Sequence, residues 1–199
     1  MIIIGLIGNK RVGKDTVANI LKEFYPGITT YALADPIKEI ARIMFNFTDD
    51  QLYGHGKDML DTHWNIKPRD FFEQFGTEIM QYDIYKYLPA LADSVPQRKF
   101  WVYSLLDKLD KLGRDMNHIN NVGVIITDVR GMHELEEIKR VYPNAKFIKI
   151  TRPGISSGTH ITQLEPYQIP DNVIDAVINN DGSLEDLKNK VEKVKQVIF

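Results

Sequence analysis

Nine residues near the N-terminus carry the strongest chemical signal in the chain: Gly8, Asn9, Lys10, Arg11, Val12, Gly13, Lys14, Asp15 and Thr16. Glycines let a backbone curl until successive N–H groups face inward. A helix that starts at the same point adds the positive end of its dipole, and the two together cradle phosphate. Lys14 in this register reaches the β and γ phosphates of a nucleoside triphosphate. In the common form of such a P-loop a Ser or Thr follows the lysine; here Asp15 stands there and Thr16 comes one position later. Asp15 and Thr16 are therefore the candidate Mg²⁺ ligands. The carboxylate acts directly or through water, the latter being favoured, and Thr16 is left to contact the α-phosphate. The bland alternative is a glycine turn between strand and helix that binds nothing.

Arginines and carboxylates recur where strands are expected to end, which is where parallel sheets bind ligands. Thr127-Asp128-Val129-Arg130 closes an apolar run. Asp128 in that place orients a metal-bound water or an acceptor group, and Arg130 clamps a phosphate bidentately; the competing reading is a surface turn with a capping Asp. Arg152 opens a glycine- and serine-bearing stretch that also holds His160. A phosphoryl-transfer enzyme needs such a lid to exclude water and bring mobile cation to the transferring group. A solvated loop arginine is the alternative, and His160 is as well suited to ordering the loop as to touching substrate. Arg69 and Glu73 lie one helical turn apart with Gln74 adjacent. They fit a phosphate-binding arginine and an amide that reads a base edge, or equally a surface i,i+4 ion pair.

The elements that must position these residues follow from periodicity. Residues 2–7 form a continuous apolar run, as in a strand buried on both faces, and a helix over 14–24 carries Val17, Ile20, Leu21 and Phe24 on one stripe. A second strand is expected at 29–33. Asp35 and Pro36 then open a helix with Ile37, Ile40, Ala41 and Met44 inward. Two further helical patterns fill 58–112, the clearer (Trp101, Val102, Leu105, Leu106, Leu109, Leu112) stopped by Gly113. Strands are expected at 122–127, 145–151 and 173–178, a helix at 132–142, and a loop over 152–170. The last helix opens on a capping box, Ser183 with Asp186, and its stripe is Leu184, Leu187, Val191, Val194, Ile198. Five strands with intervening helices predict a doubly wound α/β sheet. The expected division is a core of 1–34 and 114–199, a helical insert of about 35–113, and a lid loop of about 152–170.

A chain of 199 residues with 43% hydrophobic and 26% charged residues has the composition of a soluble globular protein and is long enough to bury a real core. No run is apolar for long enough to span a bilayer, and 1–8 reads as a buried strand rather than a leader. The absence of cysteine excludes disulfides, thiolate metal sites and cysteine nucleophiles, and agrees with a cytoplasmic location. With 25 Lys and Arg against 27 Asp and Glu, the net charge of −2 supplies no global field for nucleic acid or anionic membrane, so an anionic ligand must be held locally.

Taken in order, Gly8 to Thr16, Leu33-Ala-Asp-Pro-Ile-Lys38, Arg69 through Gln74 to Gly76-Thr77, Trp101-Val102, Asp128-Val-Arg130, Arg152-Pro-Gly154, Thr159-His-Ile-Thr162 and Asn180-Asp-Gly-Ser-Leu184 resemble the bacteriophage deoxynucleoside monophosphate kinase family, within the P-loop nucleoside monophosphate kinases. The resemblance implies a three-layer α/β/α fold with a five-stranded parallel sheet, a helical insert that binds the monophosphate, and a lid. It implies transfer of the γ-phosphoryl of ATP, with Mg²⁺, to a deoxynucleoside monophosphate, in host cytoplasm if the gene is a phage's. Small nucleotides would then be the partners, with no nucleic acid or membrane, and a homodimer is one possible assembly. Lys14, Asp128, Arg130 and Arg152 would be catalytic. The 8–16 loop with Asn180 and Gly182 would bind ATP, the 180–183 loop meeting adenine. Asp35, Lys38, Arg69, Gln74, Thr77, Trp101, Asp128, Arg130 and His160 would serve the acceptor. Two departures stand out: the segment before Arg69 is short beside longer members, and Gln163 stands where the family pattern has Glu. The rival readings are a dephospho-coenzyme A or phosphomevalonate kinase, and an ATP-binding regulatory switch.

Overall fold

Five short strands, all parallel, make one sheet in the order β2-β3-β1-β4-β5. The computed structural model describes residues 1–115, 123–155 and 161–198. β1 (Ile2–Ile7) lies at the centre, flanked by β3 (Gly123–Val129) and β4 (Lys146–Thr151), with β2 (Ile28–Tyr31) and β5 (Ala176–Asn179) at the edges. Alternate residues of the central strands serve opposite faces. Ile4, Leu6, Ile125, Ile148 and Ile150 pack with Val17, Ile20 and Leu21 of α1 (Lys14–Phe24), and with Leu187 and Val191 of the C-terminal helix. On the other face Gly5 sits beside Phe147, whose ring would lie 2.5 Å from any Cβ added there. The ring is capped by Lys139, 5.4 Å from its centroid. A sheet with helices on both faces thus delivers the ends of β1, β3, β4 and β5 to one edge.

The chain divides into two compact units, Met1–Leu33 with Leu105–Phe199, and Ala34–Ser104. The second comprises α2 (Asp35–Phe45), α3 (Asp49–Tyr53), α4 (Pro68–Glu73), a π-wound segment (Gln74–Asp83), α5 (Ile84–Tyr87) and the start of α6 (Phe100–Asp115). Its apolar centre holds Ala41, Phe47 and Leu52 with Phe45, Ile66, Phe71 and Phe72 around them. Met44, expected on the inner stripe of α2, is exposed; Phe45 turns inward instead, 4.9 Å from Phe71 and 5.3 Å from Trp64. An aromatic cluster offers more contact area than a methionine stripe, so the helix rotates to feed it.

Gly113 does not stop α6, which runs on to Asp115. The position is open to solvent, with nothing within 4 Å of an added Cβ, and an exposed helical glycine costs only about 1 kcal/mol. The later half of α6 belongs with the first unit, where Lys108 lies over the Tyr31 ring at 4.5 Å. The unit boundary falls at Ser104/Leu105, within α6. The expected loop over 152–170 contains α8 (Ile161–Gln168), with Pro166 inside it and Glu165 and Ile169 buried. Burial of one flank holds this short helix together despite its internal proline. β5 starts later than expected, after a 3₁₀ turn at Asp171–Val173. α7 (Met132–Val141) and α9 (Leu184–Ile198) fall where periodicity put them, and Ser183 and Asp186 cap α9 reciprocally, at 3.1 and 2.9 Å. Among the described residues no helix is long and apolar enough to cross a membrane.

Candidate active site

The loop after β1 owes its shape to its two glycines. Gly8 has φ 148°, and a Cβ there would lie 2.4 Å from the Ile150 carbonyl oxygen. Gly13 has φ 103°, and its Cβ would lie 2.6 Å from the Asn180 amide nitrogen. At the tip Arg11 is left-handed (φ 67°), a conformation that costs an L-residue roughly 1 kcal/mol or more. Lys14, the first residue of α1, folds back across this loop: Nζ donates to the carbonyls of Gly8 (2.7 Å) and Asn9 (2.8 Å). The ammonium is mostly buried. Desolvation above all, and then Arg130, lowers its pKa to about 8, while Asp128 and Asp15 pull the other way. Lys14, Asp15, Asp128 and Arg130 therefore form one electrostatic group, brought together from the ends of β1 and β3. Asp15 is exposed and Thr16 half-buried at the first turn of α1. The Asn9 side chain is buried, and neither its amide nitrogen nor its oxygen has a partner.

β3 presents its two charged residues differently. Asp128 accepts a hydrogen bond from the Leu33 backbone N–H (2.7 Å), fixing the chain just after β2. Arg130 follows the strand. Its backbone N–H donates to Glu134 Oε2 at 2.6 Å, as does that of Gly131 at 3.1 Å. Glu134 was not among the residues the sequence singled out. A glutamate three residues after a glycine just past a strand, the acidic half of a capping box, is the signal that would have found it. Burial pushes its carboxyl up to about 7, against the pull of the two backbone bonds.

The end of β5 closes the loop from beneath. Asn180 is buried, its backbone N–H donates to the Thr151 carbonyl (2.7 Å), and its side-chain Nδ2 donates to the Val12 carbonyl (2.9 Å). Expected as part of an adenine loop, it holds the 8–13 loop from behind. Gly182 is exposed, in a turn braced by Asp181 with Lys190, while Lys190 also donates to the Asn179 carbonyl (2.8 Å). Arg152 is exposed immediately after β4, at a turn closed by Ile155 N–H to its carbonyl (3.4 Å). His160 lies outside the described residues.

In the second unit Asp35 and Lys38 sit on the first turn of α2, and Lys38 Nζ lies 4.3 Å above the Tyr53 ring. Arg69 makes the i,i+4 contact with Glu73 (3.8 Å) and a closer ion pair with Asp58, a residue the helical spacing gives no hint of. Its Nη2 is buried without a hydrogen-bond partner. Gln74 is exposed at the start of the π-wound segment, and Thr77 is buried within it. Trp101, also buried, donates its indole N–H to the Gly76 carbonyl at 2.6 Å. Gly76 itself leaves no room for a Cβ, which would stand 2.6 Å from Ile37 Cδ1. π-Winding is rare and concentrates at functional sites.

The chain is similar to several known proteins. A family model described as deoxynucleotide monophosphate kinase matches residues 2–70 and 58–191. A putative deoxynucleotide monophosphate kinase of Acanthamoeba polyphaga mimivirus is 29% identical over 197 residues, covering 96% of this chain and 94% of its own. The deoxynucleotide monophosphate kinase of Escherichia phage RB69 is 28% identical over 250 aligned positions, covering 98% and 99%; it is longer than this chain. Among solved structures, dephospho-CoA kinase from Campylobacter jejuni aligns over 98% of this chain and 96% of its own, with 15% identity and a TM-score of 0.46. With the 8–16 loop, Asp128 and Arg130, the whole of the second unit and most of the first inside the matched residues, the chain belongs to the deoxynucleotide monophosphate kinase family.

Proposed function

We propose that the chain transfers the γ-phosphoryl of Mg·ATP to a 2′-deoxynucleoside 5′-monophosphate, with the triphosphate on the 8–16 loop and the acceptor on the second unit's own residues. Membership of a kinase family implies ATP as a substrate and nucleotides as partners. The observation that carries the assignment of the donor site is Lys14. Its ammonium is mostly buried and held across the loop by two carbonyls, and burial with Arg130 outweighs Asp128 and Asp15, so the added negative charge of a triphosphate would favour it.

An acceptor phosphate oxygen attacks the γ-phosphorus in line; the new P–O bond forms as the bond to the β-phosphate bridging oxygen breaks, leaving ADP and the deoxynucleoside diphosphate. No general base is needed, because the acceptor is already an anion. Catalysis is then alignment and charge stabilisation. Lys14 meets the β and γ phosphates, Arg130 and Arg152 spread the charge of the loose transition state, and Asp128 keeps its end of β3 fixed to the chain after β2.

On the acceptor side Arg69 suits the monophosphate, its unpartnered buried Nη2 being a donor in need of an oxygen. Asp35, Lys38, Gln74 and Thr77 complete the reading, and Trp101 acts by pinning Gly76. Asp15 and Thr16, one exposed carboxylate and one hydroxyl, would hold a Mg²⁺ ion that keeps most of its waters, and the ion would supply positive charge to the triphosphate. No trio of His, Cys, Asp or Glu among the described residues offers a protein cage, which suits an ion that arrives with the nucleotide.

The test is a coupled ADP-release assay with Mg·ATP against the four deoxynucleoside monophosphates and their ribo counterparts. Turnover with at least one deoxynucleotide, abolished by Lys14→Ala with acceptor binding retained, is expected. Turnover with none would refute the substrate assignment, and a Lys14→Ala enzyme with normal turnover would refute the donor site.

A further inference from the structure

Arg130 carries much of the charge stabilisation proposed above, yet it stands one residue beyond the end of β3, where a peptide is ordinarily free to rotate. Here it is not. The N–H groups of Arg130 and Gly131 converge on one oxygen of Glu134, at 2.6 and 3.1 Å. The Glu134 side chain is only 12% exposed. Its other oxygen faces His133, whose Nε2 lies at 3.9 Å. The turn is closed from the outside as well: a Cβ on Gly131 would lie 2.3 Å from the His133 ring and 3.4 Å from Glu165 Oε2 of α8.

Two other helices of the same chain are capped by the same spacing. At α3 the residue three beyond the cap is Gln51, a neutral amide that accepts the Thr48 N–H at 2.9 Å; at α9 it is Asp186, exposed to solvent, accepting from Ser183 at 2.9 Å. Capping therefore demands neither a buried group nor a charged one. At α7 the chain uses a carboxylate that is both, and burial opposes its ionisation. The charged groups that act on it are Asp128, which opposes its charge, and Arg130, which favours it; Arg130 in turn acts on Lys14. A buried carboxylate bonded to the backbone of an arginine, and attracting its charge, fixes both the peptide and the electrostatic setting of the guanidinium.

We propose that Glu134 is a positioning residue for phosphoryl transfer, its carboxylate locking the Arg130–Gly131 peptide so that the Arg130 guanidinium is presented to the transferring group. The proposal rests on the assignment of Arg130 given above. Glu134 touches no substrate; it acts through Arg130.

The test compares Glu134→Ala, Glu134→Gln and Arg130→Ala, singly and with Arg130→Ala combined with each Glu134 variant, in the full-length protein with saturating Mg·ATP and deoxynucleotide. Glu134→Ala is expected to lower kcat tenfold or more, with both KM values within threefold. Glu134→Gln, which keeps the backbone bonds and loses the charge, should fall between. Wild-type kcat should rise from pH 6 to pH 8 to several times that of Glu134→Gln, the two converging near pH 6, and neither Glu134 variant should add more than a twofold loss to Arg130→Ala. Thr48→Ala, which removes a cap remote in sequence from these residues, should lower stability and leave kcat unchanged. A Glu134→Ala enzyme within twofold of wild type, or losses that multiply independently with Arg130→Ala, would overturn the proposal. So would an unchanged acid limb in Glu134→Gln, which would assign that limb to His133; this last measurement decides the matter if Glu134→Ala does not fold. Normal turnover in Arg130→Ala would instead remove the assignment of Arg130 on which the proposal stands.

Discussion

Replacing Lys14 by methionine in the ligand-free protein should change how stability depends on pH, by an amount that follows from the site. Burial, reinforced by Arg130, holds the ammonium at about 8 against an ordinary value of 10.5. The unfolded chain therefore binds this proton more tightly than the folded one. Between pH 8 and 10.5 the unfolded state carries the extra proton, so wild-type stability rises with pH across that window. The full difference corresponds to about 3.4 kcal/mol, of which roughly 2 kcal/mol falls between pH 7 and 9.5. Methionine cannot titrate, and its variant should lack that gain. It also cannot donate to the Gly8 and Asn9 carbonyls, which shifts its stability by a constant; the diagnostic quantity is the slope of the difference. Urea unfolding of both proteins at pH 7, 8, 9 and 9.5 in matched buffers measures it, with the other lysines and tyrosines cancelling. A difference that stays flat to within about 0.5 kcal/mol, or one that runs the other way, would refute the picture of an ammonium desolvated in advance of its ligand. If it holds, the folded state carries a cost of about 3 kcal/mol at neutral pH, which the triphosphate of the proposed function would offset, a trade of stability for function.

Three further outcomes are expected. Gly8→Ala should abolish ATP-dependent turnover and lower the melting temperature, because the new Cβ meets backbone at 2.4 Å where no side chain can step aside; a calorimetric scan and the ADP-release assay check it. Asn180→Ala leaves the Val12 carbonyl without its donor and should lower stability by about 1–3 kcal/mol in urea, with a rise in the KM for ATP larger than that for the acceptor. Trp101→Phe keeps an aromatic ring but removes the N–H that meets Gly76 together with part of the buried indole, and should cost about 1–3 kcal/mol or more; an unchanged urea midpoint would show that this contact does not pin the π-wound segment.

The shape of the 8–14 loop was legible in one dimension because its causes are local. Gly8, Gly13 and Lys14 lie within seven consecutive residues at a strand-to-helix junction, and both the glycines' conformational freedom and the lysine's reach are properties of that short stretch. The apolar run of β1, the stripes of α1 and α9 and the Ser183 cap are likewise short-range patterns, and they needed nothing but periodicity. What the tertiary structure decided is of a different kind. Asn180 reaches Val12 across 168 residues of sequence, Asp128 reaches Leu33 across 95, and Asp58 rather than Glu73 is the nearer partner of Arg69. No spacing rule encodes those pairs, because they exist only once the sheet order puts β5 and β3 beside the loop after β1, or the second unit folds the 56–58 turn back onto α4. The expected stop at Gly113 misled for the same reason, and the expected loop hid α8. Gly113 and Pro166 carry intrinsic penalties of a few kcal/mol at most, and burial of α6 and α8 along one flank is enough to outweigh them. Residue type and short spacing say what a segment is able to do. Which groups are desolvated, and against whom, is settled only where distant segments meet.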